Sequence, residues 1–260
     1  MITIDKILSL LDESLLFISK KKRKAHDNDD IWPIRLNWHQ YKQQLYDELR
    51  LGRFVFSPCK VIEYKPSKYL HSFRTQDMLV LKAMAIALDQ TLPKSPLCYS
   101  WKGHGGVAKA LKGIGNTHNT DYFVKTDVSD YYASLCHFQI LQQLEPYIVC
   151  DQTRRLLYLA LKCREDEMGV PRGSPLSYVL GNFYLHDLDV TFEGRNTQHY
   201  FRYMDDILLL SEKKGALRRG VKTIKQTFNQ RGLHWADHKS FIGTISHYQF
   251  VFLGRRLFEH

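Results

Sequence analysis

The sequence has no apolar run approaching the ~20 residues that a bilayer-spanning helix requires, which argues against a membrane span. Its first stretch, Met1 to Lys24, carries acids and ends in Lys20-Lys21-Lys22-Arg23-Lys24 where a secretory signal would be apolar, so a cytoplasmic location is expected. The five cysteines include no CxxC pair, leaving neither a zinc ribbon nor a disulfide framework. Internal repeats and low-complexity linkers are absent. The glycine-rich turn Lys102-Gly103-His104-Gly105-Gly106 lacks the spacing of a nucleotide-binding P-loop. Acids are scarce beside bases, 27 against 37, for a formal net charge of +10. That surplus favours a polyanionic partner, nucleic acid before an anionic membrane.

What remains is the composition of a folded globule, 44% hydrophobic and 25% charged. At 260 residues, one domain or two packed subdomains are both open. Helical spacing predicts helices over Ile4–Ser19, Trp38–Leu51, Thr75–Leu92 and a short one over Val107–Lys112. Arg53–Tyr64 alternates like a strand or hairpin and is interrupted at Pro58. Tyr122–Thr126 is a β-type run ending in Asp127, Phe201–Ser211 holds two more around Asp205-Asp206, and helical stretches lie near Phe138–Leu161 and Ser174–Leu188. Strand, helix, helix and hairpin in that order predict an α+β fold, with helices packed on a small antiparallel sheet.

The acids inside these runs carry the chemistry. Tight hairpin turns favour Asn-Gly or Asp-Gly, because glycine accepts positive φ. Asp205-Asp206 instead sets two negative charges between strands that read as buried, where they repel and lose hydration unless a cation neutralises them. Mg²⁺ is the expected cation, with Mn²⁺ as an alternative. Asp127 supplies a third acid at the end of another apolar strand. Singly, an Asp in a turn or at a helix start is commonly a cap. Three brought together suit phosphoryl transfer with two metal ions, one at the attacking 3′-hydroxyl and one at the leaving pyrophosphate.

Tyr203-Met204-Asp205-Asp206 resembles the YxDD box of reverse transcriptases, and Asp127-Val128-Ser129-Asp130-Tyr131-Tyr132 resembles their first acidic motif. Val170-Pro171-Arg172-Gly173-Ser174-Pro175-Leu176-Ser177 is similar to the PQGxxxSP motif, continued by Asn182 to Asp189 as in group II intron enzymes. Leu233–Lys239 is similar to the lysine-bearing fourth motif, Phe252-Leu253-Gly254 to the primer grip, and Glu48–Pro58 with Lys65–Asp77 to the fingers. The likeness spans nearly the whole chain. It implies a right-hand polymerase with fingers over 1–120 and a palm over 121–260 ending at the primer grip, and with no thumb in this chain.

The resemblance also implies roles. Asp127, Asp205 and Asp206, with the Val128 carbonyl, would hold the two metal ions, and Lys239 would protonate the leaving pyrophosphate. Tyr132 matches the steric gate that selects deoxynucleotides by clashing with a 2′-hydroxyl. Arg172, where the family usually has glutamine, and Gly173 would lie at the incoming nucleotide, and Lys68, with Lys65 and Arg74 as its competitors, would bind triphosphate. Tyr178 stands where proline is usual. The implied activity is RNA-directed DNA synthesis in a bacterium, with antiphage defence as the use. Deoxynucleoside triphosphates, a structured non-coding RNA template and the DNA product would be bound, and a protein partner or a second copy would replace the thumb. Untemplated or protein-primed DNA synthesis by the same site is the alternative, and a catalytically silent RNA-binding scaffold the alternative of another class.

Overall fold

The computed structural model describes residues 1–66, 68–118, 120–162, 168–247 and 249–258, with the side chains of Lys68 and His247 also outside the described set. Its elements run α1 (Ile4–Ser9), α2 (Leu11–Lys21), α3 (Ile31–Leu36), α4 (Trp38–Arg50), β1 (Lys60–Lys65), β2 (Lys68–Ser72), α5 (Thr75–Thr91), α6 (Gly106–Gly115), β3 (Tyr122–Thr126) and α7 (Tyr131–Ser134). There follow α8 (His137–Leu144), α9 (Asp151–Leu161), α10 (Pro175–Tyr184), α11 (His186–Phe192), β4 (Gln198–Tyr203), β5 (Asp206–Ser211), α12 (Lys214–Gln230), β6 (Phe241–Thr244), β7 (Phe250–Phe252) and β8 (Arg255–Leu257). The α+β class with small antiparallel sheets is as expected.

The chain divides into two compact units, Met1–Leu92 with Cys136–Leu180 and Pro93–Leu135 with Gly181–His260. This division reflects packing and is interleaved along the sequence; a functional boundary at residue 120 is a separate assignment. In the first unit α5 is the hub, because its apolar residues recur all around the helix: Leu79, Val80, Leu81 and Ala83 are fully buried, with α1 and α2 packed against it. Each such buried Leu or Val contributes about 1.5–3 kcal/mol relative to exposure.

Three helical runs are broken where the sequence reading had them continuous, and the one near Ser174–Leu188 is divided at Leu185 between α10 and α11. The first helix stops at Ser9 and restarts at Leu11. There the Ser9 and Ser14 hydroxyls donate to the Lys6 and Leu10 carbonyls, local bonds that compete with a regular helix. The stretch from Phe138 breaks at Glu145–Tyr147, a 3₁₀ turn with Pro146 near its start, since proline cannot donate within a helix. Likewise Arg53–Cys59 lies outside any strand, and the hairpin begins only at Lys60, beyond Pro58.

The second unit is built on a four-stranded antiparallel sheet in the order β4-β5-β3-β6. Register sets its two faces: Phe123 pairs with Leu210 and Phe201 with Leu208, while Val124 and Tyr200 both pair with Leu209. Phe123, Phe201, Leu208 and Leu210 join Ile114, Phe250 and Phe252 in one apolar cluster. The other face receives α11 and α12. Helix α12 approaches so closely at Gly220 that a Cβ there would overlap Leu209 and Gln198, which is why the helix carries glycine at that turn. Gln198 Nε2 also donates to the Ala216 carbonyl at 2.6 Å.

Candidate active site

Strand β3 delivers Asp127 just past its last pairing, and the backbone is held there by Ala236 N–H donating to the Asp127 carbonyl at 3.0 Å. Val128 bridges to Trp235 on the same line and is buried. The neighbouring hairpin delivers the other two acids. Tyr203 pairs with Asp206, so β4 and β5 are joined by only Met204 and Asp205, and Met204 takes a φ of +57°. A non-glycine residue held in that region costs about 1–3 kcal/mol, so the turn needs outside support.

That support is an extensively bonded arginine. Arg202, fully buried in β4, donates to both carboxylate oxygens of Asp189 at 2.6 and 2.5 Å, to the Asn182 carbonyl at 2.9 Å and to the Met204 carbonyl at 2.7 Å. Tyr200 completes the Asp189 carboxylate at 3.1 Å, and Ser100 Oγ accepts from Met204 N–H at 3.0 Å while donating to Asn182. Both sides of the Met204 peptide are thereby fixed from beneath. Sequence reasoning missed Arg202, Asp189, Ser100 and Asn182 as a set. The one visible signal was a charge at position 202 within a buried strand, which demands a partner.

The acids themselves are strained electrostatically. Burial and the adjacent Asp127 carboxylate push Asp205 up to about 7. Asp206 rises for the same two reasons. Burial also acts to raise Asp127, but the interaction with Asp205 and the Lys239 ammonium outweigh it and hold Asp127 below the usual carboxylate value. Lys239 Nζ lies 2.5 Å from Asp127 Oδ2, while the buried Oδ1 has no fixed N–H or O–H donor. Two carboxylates can bond only through a proton, and Asp205 is the one that would carry it.

Three acids, one orphaned buried oxygen and a raised carboxyl fit a hard divalent cation, whose charge would relieve all three conditions. Among the described residues, however, no group of three or more His, Cys, Asp or Glu side chains stands ready as a metal cage. Lys239 holds the position on Asp127 Oδ2 instead.

Tyr132 stands close to the turn. A Cβ on Gly181 would meet Tyr132 Cε1 at 3.1 Å and Met204 Cε at 3.5 Å, and the Tyr131 hydroxyl donates to the Gly181 carbonyl at 2.6 Å. Leu253 and Gly254 form the two-residue turn between β7 and β8, both at positive φ, and Phe252 before them is buried in the apolar cluster. In the first unit, His71 N–H of β2 donates to the Arg172 carbonyl at 2.7 Å. At Gly173, φ +102°, a Cβ would come within 2.7 Å of the His71 carbonyl, so glycine is required there. The β2 strand thus runs beside Arg172 and Gly173, and His71 was not foreseen. Lys68 lies on β2 with its side chain outside the described residues, and Arg74 is exposed immediately before α5.

A family model described as reverse transcriptase (RNA-dependent DNA polymerase) matches residues 65–257. No curated protein matches the chain. Among solved structures, apo telomerase from Candida tropicalis superposes with a TM-score of 0.54 at 9% identity, covering 84% of this chain and 51% of that one. Telomerase from Candida albicans in complex with a fragment of telomeric RNA gives 0.52 at 11% identity, covering 86% and 39%. A partial Cas6-RT-Cas1–Cas2 complex gives 0.46 at 18% identity, covering 87% and 42%. The chain therefore spans about half or less of the solved chains it matches, and at these identities the likeness concerns the fold. No helix among the described residues is long and apolar enough to cross a membrane.

Proposed function

Because the chain belongs to the reverse transcriptase (RNA-dependent DNA polymerase) family, we propose that it extends a 3′-hydroxyl with deoxynucleoside triphosphates on an RNA template. The observation that carries this reading is the convergence of Asp127, Asp205 and Asp206 at adjoining strand ends, with Asp205 pushed up to about 7 by burial and by Asp127. Asp127, Asp205, Asp206 and the Val128 carbonyl are the proposed holders of two Mg²⁺ ions, which would lower the pKa of the attacking hydroxyl and neutralise charge on the leaving pyrophosphate. The remaining work falls to the chain. Lys239 is the proposed proton donor to pyrophosphate once it leaves Asp127 Oδ2. Tyr132, packed on Gly181, is the proposed barrier to a 2′-hydroxyl. Lys68 and Arg74 are the proposed nucleotide contacts of the fingers, Arg172 and Gly173 those of the palm, and Phe252, Leu253 and Gly254 the primer grip of the palm. A structured RNA is the template we propose, a reading supported by the family and by the basic balance of the chain. The group II intron-like motif order supports a bacterial setting, and antiphage defence is the use we propose.

Primer extension on an RNA template with deoxynucleotides and Mg²⁺ tests the reading. Asp205→Asn keeps the side-chain shape and removes the charge, so extension should fall by at least ~10³-fold. An Asp205→Asn protein that extends primers normally would overturn it, and retained protection of host cells from phage would separate defence from synthesis.

A further inference from the structure

The positive charge of the chain is concentrated. Residues 213–236 hold seven Lys or Arg and no Asp or Glu, a local charge of +7 within a whole-chain value of +10. Most of it lies on α12, where Lys214, Arg218, Lys222 and Lys225 follow at spacings of four, four and three residues, which places them on one side of the helix. They cover about 16 Å of axis at ~1.5 Å per residue. All four, and Arg219 beside them, are exposed. Lys214, Arg218, Arg219 and Lys222 enter no ion pair among the described residues, while Lys225 lies 5.1 Å from the Trp235 ring.

The opposite side of α12 decides what kind of polyanion fits. Ala216, Leu217, Ile224 and Phe228 are buried, and the contact at Gly220 presses the helix onto the sheet. An interfacial membrane helix needs a free apolar face to insert, and α12 has none. A nucleic-acid backbone needs only fixed cations. Helix α12 covers the sheet face that carries Tyr200 and Leu209, and strand alternation from Leu209 points Asp206 to the other face, with Leu208.

We propose that Lys214, Arg218 and Lys222, with Arg219 beside them, form a phosphate-binding stripe that grips the backbone of a nucleic acid on the face of the sheet away from Asp206. The stripe goes beyond the polymerase reading and can fail independently of it. It would retain the RNA while the acids act on a primer end, without reading base sequence.

The test uses the full chain and a triple variant, K214Q/R218Q/K222Q, with binding to an RNA duplex, a single-stranded RNA and a DNA duplex measured across a salt series. Each lost phosphate contact removes ~0.7–0.9 from the slope of log K against log salt, so the slope should fall by about 2 to 3 for the backbone form that the stripe accepts. The probe with the largest fall identifies that form. Extension of a short primer–template should be unchanged, as should the melting temperature. An unchanged slope on all three probes overturns the proposal. So does loss of binding to phosphatidylserine vesicles with nucleic-acid binding intact, which would assign the stripe to a membrane. If the variant unfolds, acylation of the unsubstituted protein decides: bound nucleic acid should protect Lys214 and Lys222, and equal labelling with and without it overturns the stripe.

Discussion

Two ion pairs in the same unit meet opposite fates. Asp189 and Arg202 are fully buried, and the guanidinium also holds two backbone carbonyls. Asp127 and Lys239 form a single contact in which the lysine side chain is 53% exposed. The first pair is closed on every side and acts as a frame beneath the Met204–Asp205 turn. The second opens more readily on the lysine side, because an exposed ammonium regains water, while the buried Asp127 then calls for another cation. The proposed exchange of metal ions would use both kinds.

Removing one member of the closed pair should have the largest effect. Asp189→Ala leaves a buried, uncompensated guanidinium and should destabilise the protein by about 3–5 kcal/mol in urea unfolding, whereas Asp189→Leu with Arg202→Met should recover much of the loss. A cost under about 1 kcal/mol would show that the frame is not closed. Next in size, Lys239→Ala should lower kcat by about 10²-fold in primer extension, the contribution of a positioned acid. Its effect on stability should stay within about 1 kcal/mol, and a change confined to stability would make the open pair merely structural.

A further difference is one of pH. In the metal-free protein, Asp205 keeps its proton up to about 7, while the unfolded chain loses it near the ordinary value of 3.8. Between those values the unfolded state binds fewer protons, so stability should fall as pH rises from about 4 to 7. Asp127, held below the ordinary value, acts in the opposite sense but at lower pH. Added Mg²⁺ should flatten the slope and Asp205→Asn should reduce it, both followed by thermal unfolding; a slope indifferent to either change would remove Asp205 as its source.

The members of the open pair were named singly from the sequence and those of the closed pair were not, for a physical reason. Asp127, Asp205, Asp206 and Lys239 stand in short stretches that resemble family motifs, so each could be named from its neighbours along the chain. Arg202 and Asp189 are 13 residues apart on a strand and a helix, and only their packing brings them together. Helix limits failed in the same way. Periodicity located the run from Ile4 but not its break at Leu10, which depends on hydroxyls turning back on the backbone. The α5 helix, apolar all round, was read within a residue of its ends.

The hairpin closed by Met204 and Asp205 has no spare length. One residue added to β4 would shift its pairing with β5, and neighbouring strand positions face opposite sides, so the added residue would exchange the surroundings of Arg202 and Tyr203. The frame would lose its arginine although every acid remained in place. Insertions and deletions, more than substitutions, are therefore the changes that this segment should tolerate least, and its length is as much an inherited constraint as its aspartates.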